Sequence, residues 1–252
     1  MIDKILDEID DDFVLGLANA IAIDVKWNSE FECNNTYEEI FTNKQNKKIG
    51  VEMMHQTFKS SSSYLENDNV KGIIIPYEEK TGLEFIGLLP QKDIDEYIYN
   101  DLDNDLNSLD NLVKKDIKNI NVSIPRFKFS YSLDKFKDIL IELGVKDIFN
   151  PGLADLTKMI AKSDFEKAGI GNLYVDEAIH QTYIDFNEVG TKAAAITYFG
   201  IKNYSMTREE EPLKISFNKP FISIIRDQKT KEILFIGVVN SPTKWTKTTC
   251  EK

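Results

Sequence analysis

An almost unbroken apolar run at residues 13–25, FVLGLANAIAIDV, constrains the fold of this chain more than any other feature. A run of this length without polar alternation is typical of a β-strand that is covered on both faces. Such a strand also needs a neighbour along each edge, and little of the chain precedes it to supply one. The run therefore predicts a long strand that needs partners along both edges.

Later patterns predict further strands and two helices. Residues 70–77 and 83–89 are two apolar stretches joined by a short turn, which predicts a hairpin. Helical spacing predicts a helix over 91–118 and a second over 132–143, with Ser132 as its N-cap and its end before Gly144. The other predicted strands are 49–58, 120–131, 173–186, 213–226 and 232–239. This mixture of many strands with few helices predicts an α+β fold.

Composition excludes several classes of protein. The net charge of −11 disfavours nucleic-acid binding, and no apolar run reaches the length of a membrane span. Two cysteines, Cys33 and Cys250, exclude a disulfide scaffold, and two histidines, His55 and His180, exclude a multi-histidine metal site. No secretory signal, catalytic triad or phosphate-binding loop is recognisable. We therefore expect no metal, cofactor, membrane partner or enzymatic activity, and the compartment stays unassigned.

A long segment at 187–212, NEVGTKAAAITYFGIKNYSMTREEEP, separates two predicted strands. Connections of this length are uncommon in compact domains and are often functional. Its first part is rich in small residues, and its second part is polar and ends in three glutamates. Composition alone favours an ordinary surface loop, or a short alanine-rich helix at 192–198, without a special function.

The start of this segment resembles a known family. Residues 188–195, EVGTKAAA, resemble the reactive-loop hinge of inhibitory serpins. Other serpin-like stretches occur in the family's order along the chain, namely 18–27 (ANAIAIDVKW), 51–56 (VEMMHQ), 72–90, 124–149, 154–156 (ADL), 217–221 (FNKPF) and 234–242 (LFIGVVNSP). The resemblance covers nearly all of the chain, and implies the multi-sheet serpin fold with a partial large sheet and two smaller sheets.

The resemblance implies a suicide inhibitor of proteases. A target serine protease, or a cysteine protease, cleaves an exposed reactive loop at 187–212, and the loop's N-terminal part then inserts into the large sheet. The hinge residues carried over by the motif are Glu188, Gly190, Thr191, Ala193, Ala194 and Ala195. If Thr191 faces inward, strand alternation also turns Ala193, Ala195 and Thr197 inward, where small side chains fit a packed sheet.

The same motif predicts where the loop is cleaved. The family's spacing from Glu188 assigns the scissile bond to Tyr204 and Ser205, and an aromatic residue there favours a chymotrypsin-like protease. The stretch that follows is longer than in common relatives. Met206 and Arg208 are therefore alternative positions, and Arg208 implies a trypsin-like target.

Four further residues match family positions that control sheet opening. Trp27 resembles the tryptophan at the top of the large sheet, and Asn19 and His180 resemble a pair that hydrogen-bonds in its middle. Arg126 lies where relatives often have lysine, which predicts an ion pair with Glu188. The alternatives are a buried histidine without a switching role and, for Arg126 and Glu188, two solvated charges.

The chain also departs from the family's pattern. The stretches that give the first six helices and first two strands of the large sheet are not recognisable, so residues 1–252 resemble a single, incomplete serpin domain. This predicts an exposed strand at 13–25, with self-association through the sheet or a need for a partner fragment. The alternative function is a truncated, non-inhibitory protein that is cleaved as a substrate or binds a partner.

Overall fold

The computed structural model describes residues 15–59, 62–117, 119–133, 135–159, 163, 167, 171–191 and 211–246. The chain divides into two compact units, one formed by 1–23 and 129–184, the other by 24–128 and 185–252. The expected single domain over 1–252 stays a prediction. None of the helices in the described ranges is long and apolar enough to cross a membrane.

The described part of the larger unit includes a mixed four-stranded sheet and an antiparallel five-stranded sheet. A four-stranded sheet has the order β12-β8-β4-β3, in which β12 (Leu213–Ser216) and β8 (Asn119–Pro125) are parallel. Its other strands are β4 (Lys48–Lys59) and β3 (Thr36–Thr42). A five-stranded sheet has the order β14-β13-β7-β6-β5 and consists of β14 (Ile233–Val239), β13 (Phe221–Asp227), β7 (Leu83–Pro90), β6 (Val70–Pro76) and β5 (Ser63–Glu66).

The five-stranded sheet has an apolar core on one face. Ile74, Ile86 and Ile224 pack there with two short helices, α1 (Ile94–Asn100) and α2 (Leu102–Asn107). The side chain of Asp93 caps α1 by accepting hydrogen bonds from the backbone N–H groups of residues 95 and 96. This packing buries the apolar side chains of the sheet's face beneath α1 and α2.

In its described residues the smaller unit includes a parallel strand pair and the helix α3 (Phe136–Glu142). In it β1 (Gly16–Ala22) pairs with the first part of β10 (Glu177–Phe186), so that Asn19 lies beside His180. The helix α3 (Phe136–Glu142) packs Phe136 and Leu140 against a small cluster around Phe149. The strand β9 (Phe127–Leu133), which also pairs with β10, crosses the boundary between the two units, as β10 does.

Most predicted elements are present, and the α+β class is confirmed. The hairpin of β6 and β7 turns at Gly82, whose φ of 65° is the left-handed conformation that glycine favours. The predicted helix over 91–118 is instead split into α1, α2 and a 3-10 turn at 109–112, because Asp101 interrupts the helical backbone. Prolines interrupt two predicted strands: Pro125 ends β8, and Pro220 precedes β13.

One local expectation about α3 is wrong. Ser132 lies in β9 and does not cap α3, whose N-cap is Lys135 without a side-chain hydrogen bond. The helix does end before Gly144, which has a φ of 98°. No sequence pattern indicated β3 or β5, or that Cys33 is disulfide-bonded.

The apolar strand β1 is not covered on both faces in the described part of the chain. Six of its seven residues are exposed, and Leu17 has 43% of its surface accessible. An apolar pattern shows only that side chains favour burial, and it does not name what packs on them. The expectation of a strand covered on both faces is therefore wrong for these residues. The expectation of an exposed strand, which came from the missing serpin stretches, is met.

Candidate functional site

The predicted hinge begins as a buried strand. After β10 ends at Phe186, the chain turns and forms β11 (Gly190–Thr191), which pairs antiparallel with Phe186 on one side. On its other side β11 pairs antiparallel with β2 (Val25–Lys26). Residues 187–191, the start of the loop that was expected to be exposed, are therefore buried or half-buried.

Gly190 is required by close packing. A Cβ atom at this position would collide with the backbone carbonyl oxygen of Val25 and would lie 2.7 Å from the Cα atom of Lys26. Its φ is not in the left-handed region, so space rather than backbone freedom requires glycine in this conformation. Any side chain here would push β11 away from β2.

Thr191 points into the protein. It is completely buried, and its hydroxyl shares a hydrogen bond of 2.7 Å with the hydroxyl of Tyr77. Burial raises the pKa of Tyr77, and the hydrogen bond to Thr191 opposes part of that rise. Since both hydroxyls lie away from water, each depends on the other for a partner.

Trp27 holds the turn between β10 and β11. Its indole N–H donates to the backbone carbonyl of Asn187 at 2.9 Å, and its own backbone N–H donates to the carbonyl of Val189 at 2.9 Å. The indole stacks on Tyr77 at a centroid distance of 4.4 Å and makes an edge contact with Phe186. The aromatic cluster thus fixes both backbone and side chains of the hinge.

Glu188 is buried and forms the expected ion pair with Arg126. The Nε atom of Arg126 donates to Oε2 of Glu188 at 2.7 Å, and Nη2 lies 2.6 Å from Oε1. The Thr36 hydroxyl donates to the same carboxylate at 2.5 Å, and the backbone N–H of Phe31 donates to the Glu188 carbonyl at 2.9 Å. The alternative of two solvated charges does not describe this pair, because only 7% of the Glu188 side chain is exposed.

Arg126 has a second buried carboxylate as a partner. Its Nη1 atom donates to Oε2 of Glu52 at 2.8 Å. Burial alone would lower the pKa of Arg126, but the hydrogen bonds to Glu188 and Glu52 outweigh burial and raise it. The guanidinium therefore stays charged and is held from two directions.

The sequence matches a known protein family. The model of the family described as Serpin (serine protease inhibitor) matches residues 1–242. The chain belongs to the serpin family.

Similar serpins come from distant organisms. Leukocyte elastase inhibitor of Homo sapiens is 32% identical over 90% of this chain and 58% of that protein. An uncharacterised serpin-like protein of Thermococcus kodakarensis is 31% identical over 90% of this chain and 50% of its own length. The crystal structure of the thermophilic serpin tengpin in its native state matches with a TM-score of 0.75 and 34% identity, over 96% of this chain and 59% of that chain. This chain spans between 50% and 59% of these three relatives.

The predicted pair of Asn19 and His180 lies on neighbouring strands, but no side-chain hydrogen bond joins the two residues in the described part of the chain. Asn19 and His180 are register partners in β1 and β10. In the described part of the chain Asn19 is exposed, and the Nδ1 atom of His180 is buried without a partner. The His180 ring lies 5.4 Å from the ring of Phe136. Their role in sheet opening stays a prediction.

The remaining predicted residues lie outside the described ranges. These are Lys192, Ala193, Ala194, Ala195, Thr197, Tyr204, Ser205, Met206 and Arg208. The structure adds four residues that the sequence analysis missed, Thr36, Glu52, Tyr77 and Thr246. Thr36 and Tyr77 contact the hinge, Glu52 contacts Arg126, and Thr246 contacts Glu52. All these contacts are distant in sequence, and the one available signal was that Glu52 lies within the serpin-like stretch 51–56.

Proposed function

We propose that this serpin chain acts in the inhibition of a chymotrypsin-like serine protease, through cleavage of the loop at 187–212 and insertion of its N-terminal part. One observation carries the proposal: Gly190 and Thr191 already occupy strand positions, between Phe186 and β2. A segment that starts in register extends by adding neighbouring pairs, without the entropy cost of closing a new loop.

The sequence that follows suits such an extension. Strand alternation places every second residue on the same face, so Ala193, Ala195 and Thr197 follow the inward direction of the buried Thr191. Small side chains enter a packed sheet with little displacement of their neighbours. For β10 to accept the loop as a neighbour, it must give up its parallel pairing with β1.

The covalent step is ordinary acyl transfer. The serine Oγ of the protease attacks the carbonyl carbon of Tyr204, its proton passes to the protease's histidine, and the amide nitrogen of Ser205 leaves with that proton. An ester between protease and loop remains. Insertion of the loop before water hydrolyses this ester would trap the protease.

The test is incubation with chymotrypsin followed by a denaturing gel. A covalent adduct of higher mass, with loss of protease activity, is expected. Tyr204→Arg should move adduct formation from chymotrypsin to trypsin. An adduct with trypsin already present in the unmodified protein would instead assign the bond to Arg208, and cleavage after Met206 would appear by mass spectrometry of the released peptide.

A hinge substitution tests insertion separately from cleavage. Thr191→Arg places a charge where the side chain is completely buried, so we expect the trapped fraction to fall by about tenfold or more while cleavage continues. Lys192→Arg, on the outward side by alternation, is the matched control and should still form the adduct. Equal trapping by both variants would contradict insertion.

A second candidate is a non-inhibitory role as a protease substrate or partner-binding protein, with self-association through exposed sheet. It is favoured by the exposed apolar side chains of Leu234, Ile236 and Val238 on β14, and by the exposed β1. This candidate predicts clean cleavage with free, active protease on the same gel. Sedimentation at increasing protein concentration tests the self-association.

A further inference from the structure

The Arg126 side chain that holds the hinge is itself held by another part of the chain. Residues 243–246, here called the C-terminal clamp, follow β14 and run alongside β4. The backbone N–H of Thr243 donates to the Arg126 carbonyl at 2.9 Å. The backbone N–H of Glu52 donates to the Thr243 carbonyl at 3.2 Å, and the N–H of Trp245 donates to the Gly50 carbonyl at 3.0 Å.

The clamp also reaches the carboxylate that orients Arg126. The Thr246 hydroxyl donates to Oε1 of Glu52 at 3.0 Å, while Oε2 of Glu52 accepts from Nη1 of Arg126. The backbone N–H of Arg126 donates to the Glu52 carbonyl at 2.9 Å. Glu52 is 3% exposed, so its carboxylate depends on these protein donors.

These contacts form one continuous path from the clamp to the hinge. It runs from Thr246 to Glu52, from Glu52 to Arg126, and from Arg126 to Glu188. A guanidinium is planar, so fixing Nη1 on Glu52 also fixes the direction in which Nε and Nη2 point toward Glu188. Glu188 lies two residues before Gly190, where the proposed insertion begins.

We propose that Glu52 and Thr246 are positioning residues for the hinge, and that the C-terminal clamp sets how readily residues 187–191 leave their native contacts. The proposal rests on the proposed function for its meaning in protease inhibition. Its physical content concerns the uncleaved protein alone. Weakening the path should loosen the hinge before it affects the rest of the fold.

Hydrogen–deuterium exchange at the backbone amides of residues 187–191 tests the proposal without any protease. Glu52→Ala removes the acceptor for Nη1, and we expect exchange there to become faster by about tenfold or more, since hydrogen bonds to charged groups are among the strong ones. Thr246→Val, a milder change that keeps the side-chain shape, should speed exchange about threefold.

Two controls separate positioning from general destabilisation. Glu52→Gln retains a carbonyl oxygen for Nη1 and should restore exchange to within about twofold of the unmodified protein. Asp110→Ala removes one carboxylate from Arg226, a different arginine in the same unit, and should leave exchange at 187–191 unchanged after correction for its urea-unfolding free energy. Should Glu52→Ala fold poorly, the comparison of Thr246→Val with Asp110→Ala still decides.

The outcomes are distinct. The proposed role of the C-terminal clamp is refuted if amide exchange at 187–191 is unchanged in Glu52→Ala and Thr246→Val. It is also refuted if Asp110→Ala accelerates that exchange equally. Faster hinge exchange in the Glu52 and Thr246 variants supports it, even where no covalent adduct forms with chymotrypsin. In that case the proposed inhibition fails, while the positioning role stands.

Discussion

Two arginines in the larger unit are each held by two carboxylates, yet they join different parts of the protein. Arg126 contacts Glu52 and Glu188, whose side chains are only 4% and 7% exposed. Arg226 contacts Glu84 and Asp110, whose side chains are 12% and 55% exposed. The Arg226 guanidinium is the more buried of the two, with 5% of its side chain exposed against 26% for Arg126.

The difference lies in what each carboxylate belongs to. Glu84 lies in β7 and Asp110 in the 3-10 turn at 109–112, so Arg226 joins a strand of the five-stranded sheet to a turn that packs on the same apolar core. Glu188 lies at the start of the segment that is proposed to move. The same chemical arrangement therefore joins two elements of one core in one place and, under the proposal above, restrains a hinge in the other.

The largest expected effect comes from removing each guanidinium. Arg126→Met leaves two buried carboxylates without a guanidinium, and Arg226→Met leaves Glu84 without one while Asp110 keeps Lys231. Each variant should lower the free energy of unfolding, by about 3–5 kcal/mol for Arg126→Met and somewhat less for Arg226→Met. Only Arg126→Met should also speed amide exchange at 187–191 beyond its global effect and promote polymerisation. Urea unfolding, exchange and light scattering measure the three quantities. The proposed difference between the two arginines would be wrong if Arg226→Met accelerated amide exchange at 187–191 as much as Arg126→Met does.

An intermediate effect is expected from two buried tyrosines. Tyr77 bonds to Thr191, whereas Tyr97 donates to Asp105 at 2.9 Å, and both tyrosines are completely buried. Tyr77→Phe leaves the Thr191 hydroxyl without this partner, so we expect about 1–2 kcal/mol of local destabilisation at the hinge. Tyr97→Phe should instead lower global stability and leave exchange at 187–191 unaltered. A uniform change in exchange for both variants would argue against a separate hinge.

The smallest expected effect is the contribution of Asp110 to the loss of stability at acid pH. The hydrogen bond from Arg226 holds the pKa of Asp110 below its ordinary value of 3.8. The unfolded chain then binds more protons than the folded one near that pH, so the stabilisation is present above pH 3.8 and is lost as the pH falls through the folded pKa. In Asp110→Asn this part of the acid dependence should disappear from urea midpoints. Parallel curves for variant and unmodified protein would contradict the assignment.

Sequence patterns predicted elements where local chemistry decides the structure. The hairpin of β6 and β7 was predictable because its two apolar stretches and the turn at Gly82 are contiguous. The helix predicted over 91–118 was split, since periodicity records which side chains are apolar and does not register the backbone break at Asp101. The strand at 13–25 was predictable as a strand from its apolar pattern, whereas its exposure followed only from the family resemblance, because exposure depends on what packs upon the strand.

The site was predictable only as far as the family resemblance reached. The pairing of Arg126 with Glu188 followed from matching positions, although 62 residues separate them. Thr246 carries no local signal, and Glu52 only its place in the serpin-like stretch 51–56. Their contact joins residues 194 positions apart and depends on strand pairing and the path of the chain after β14. Which carboxylates bind a buried arginine depends on the tertiary structure, and a short sequence motif does not contain that information.

The placement of the two tryptophans gives the hinge its own optical reporter. The chain has only two, Trp27 in the aromatic cluster of the hinge and Trp245 in the C-terminal clamp. The indole of Trp27 is 2% exposed and bonded to Asn187, so departure of the turn would bring it into a wetter environment and shift its emission to longer wavelength. In Trp245→Phe, fluorescence would follow the hinge alone, and the intact protein would report on both ends of the path at once.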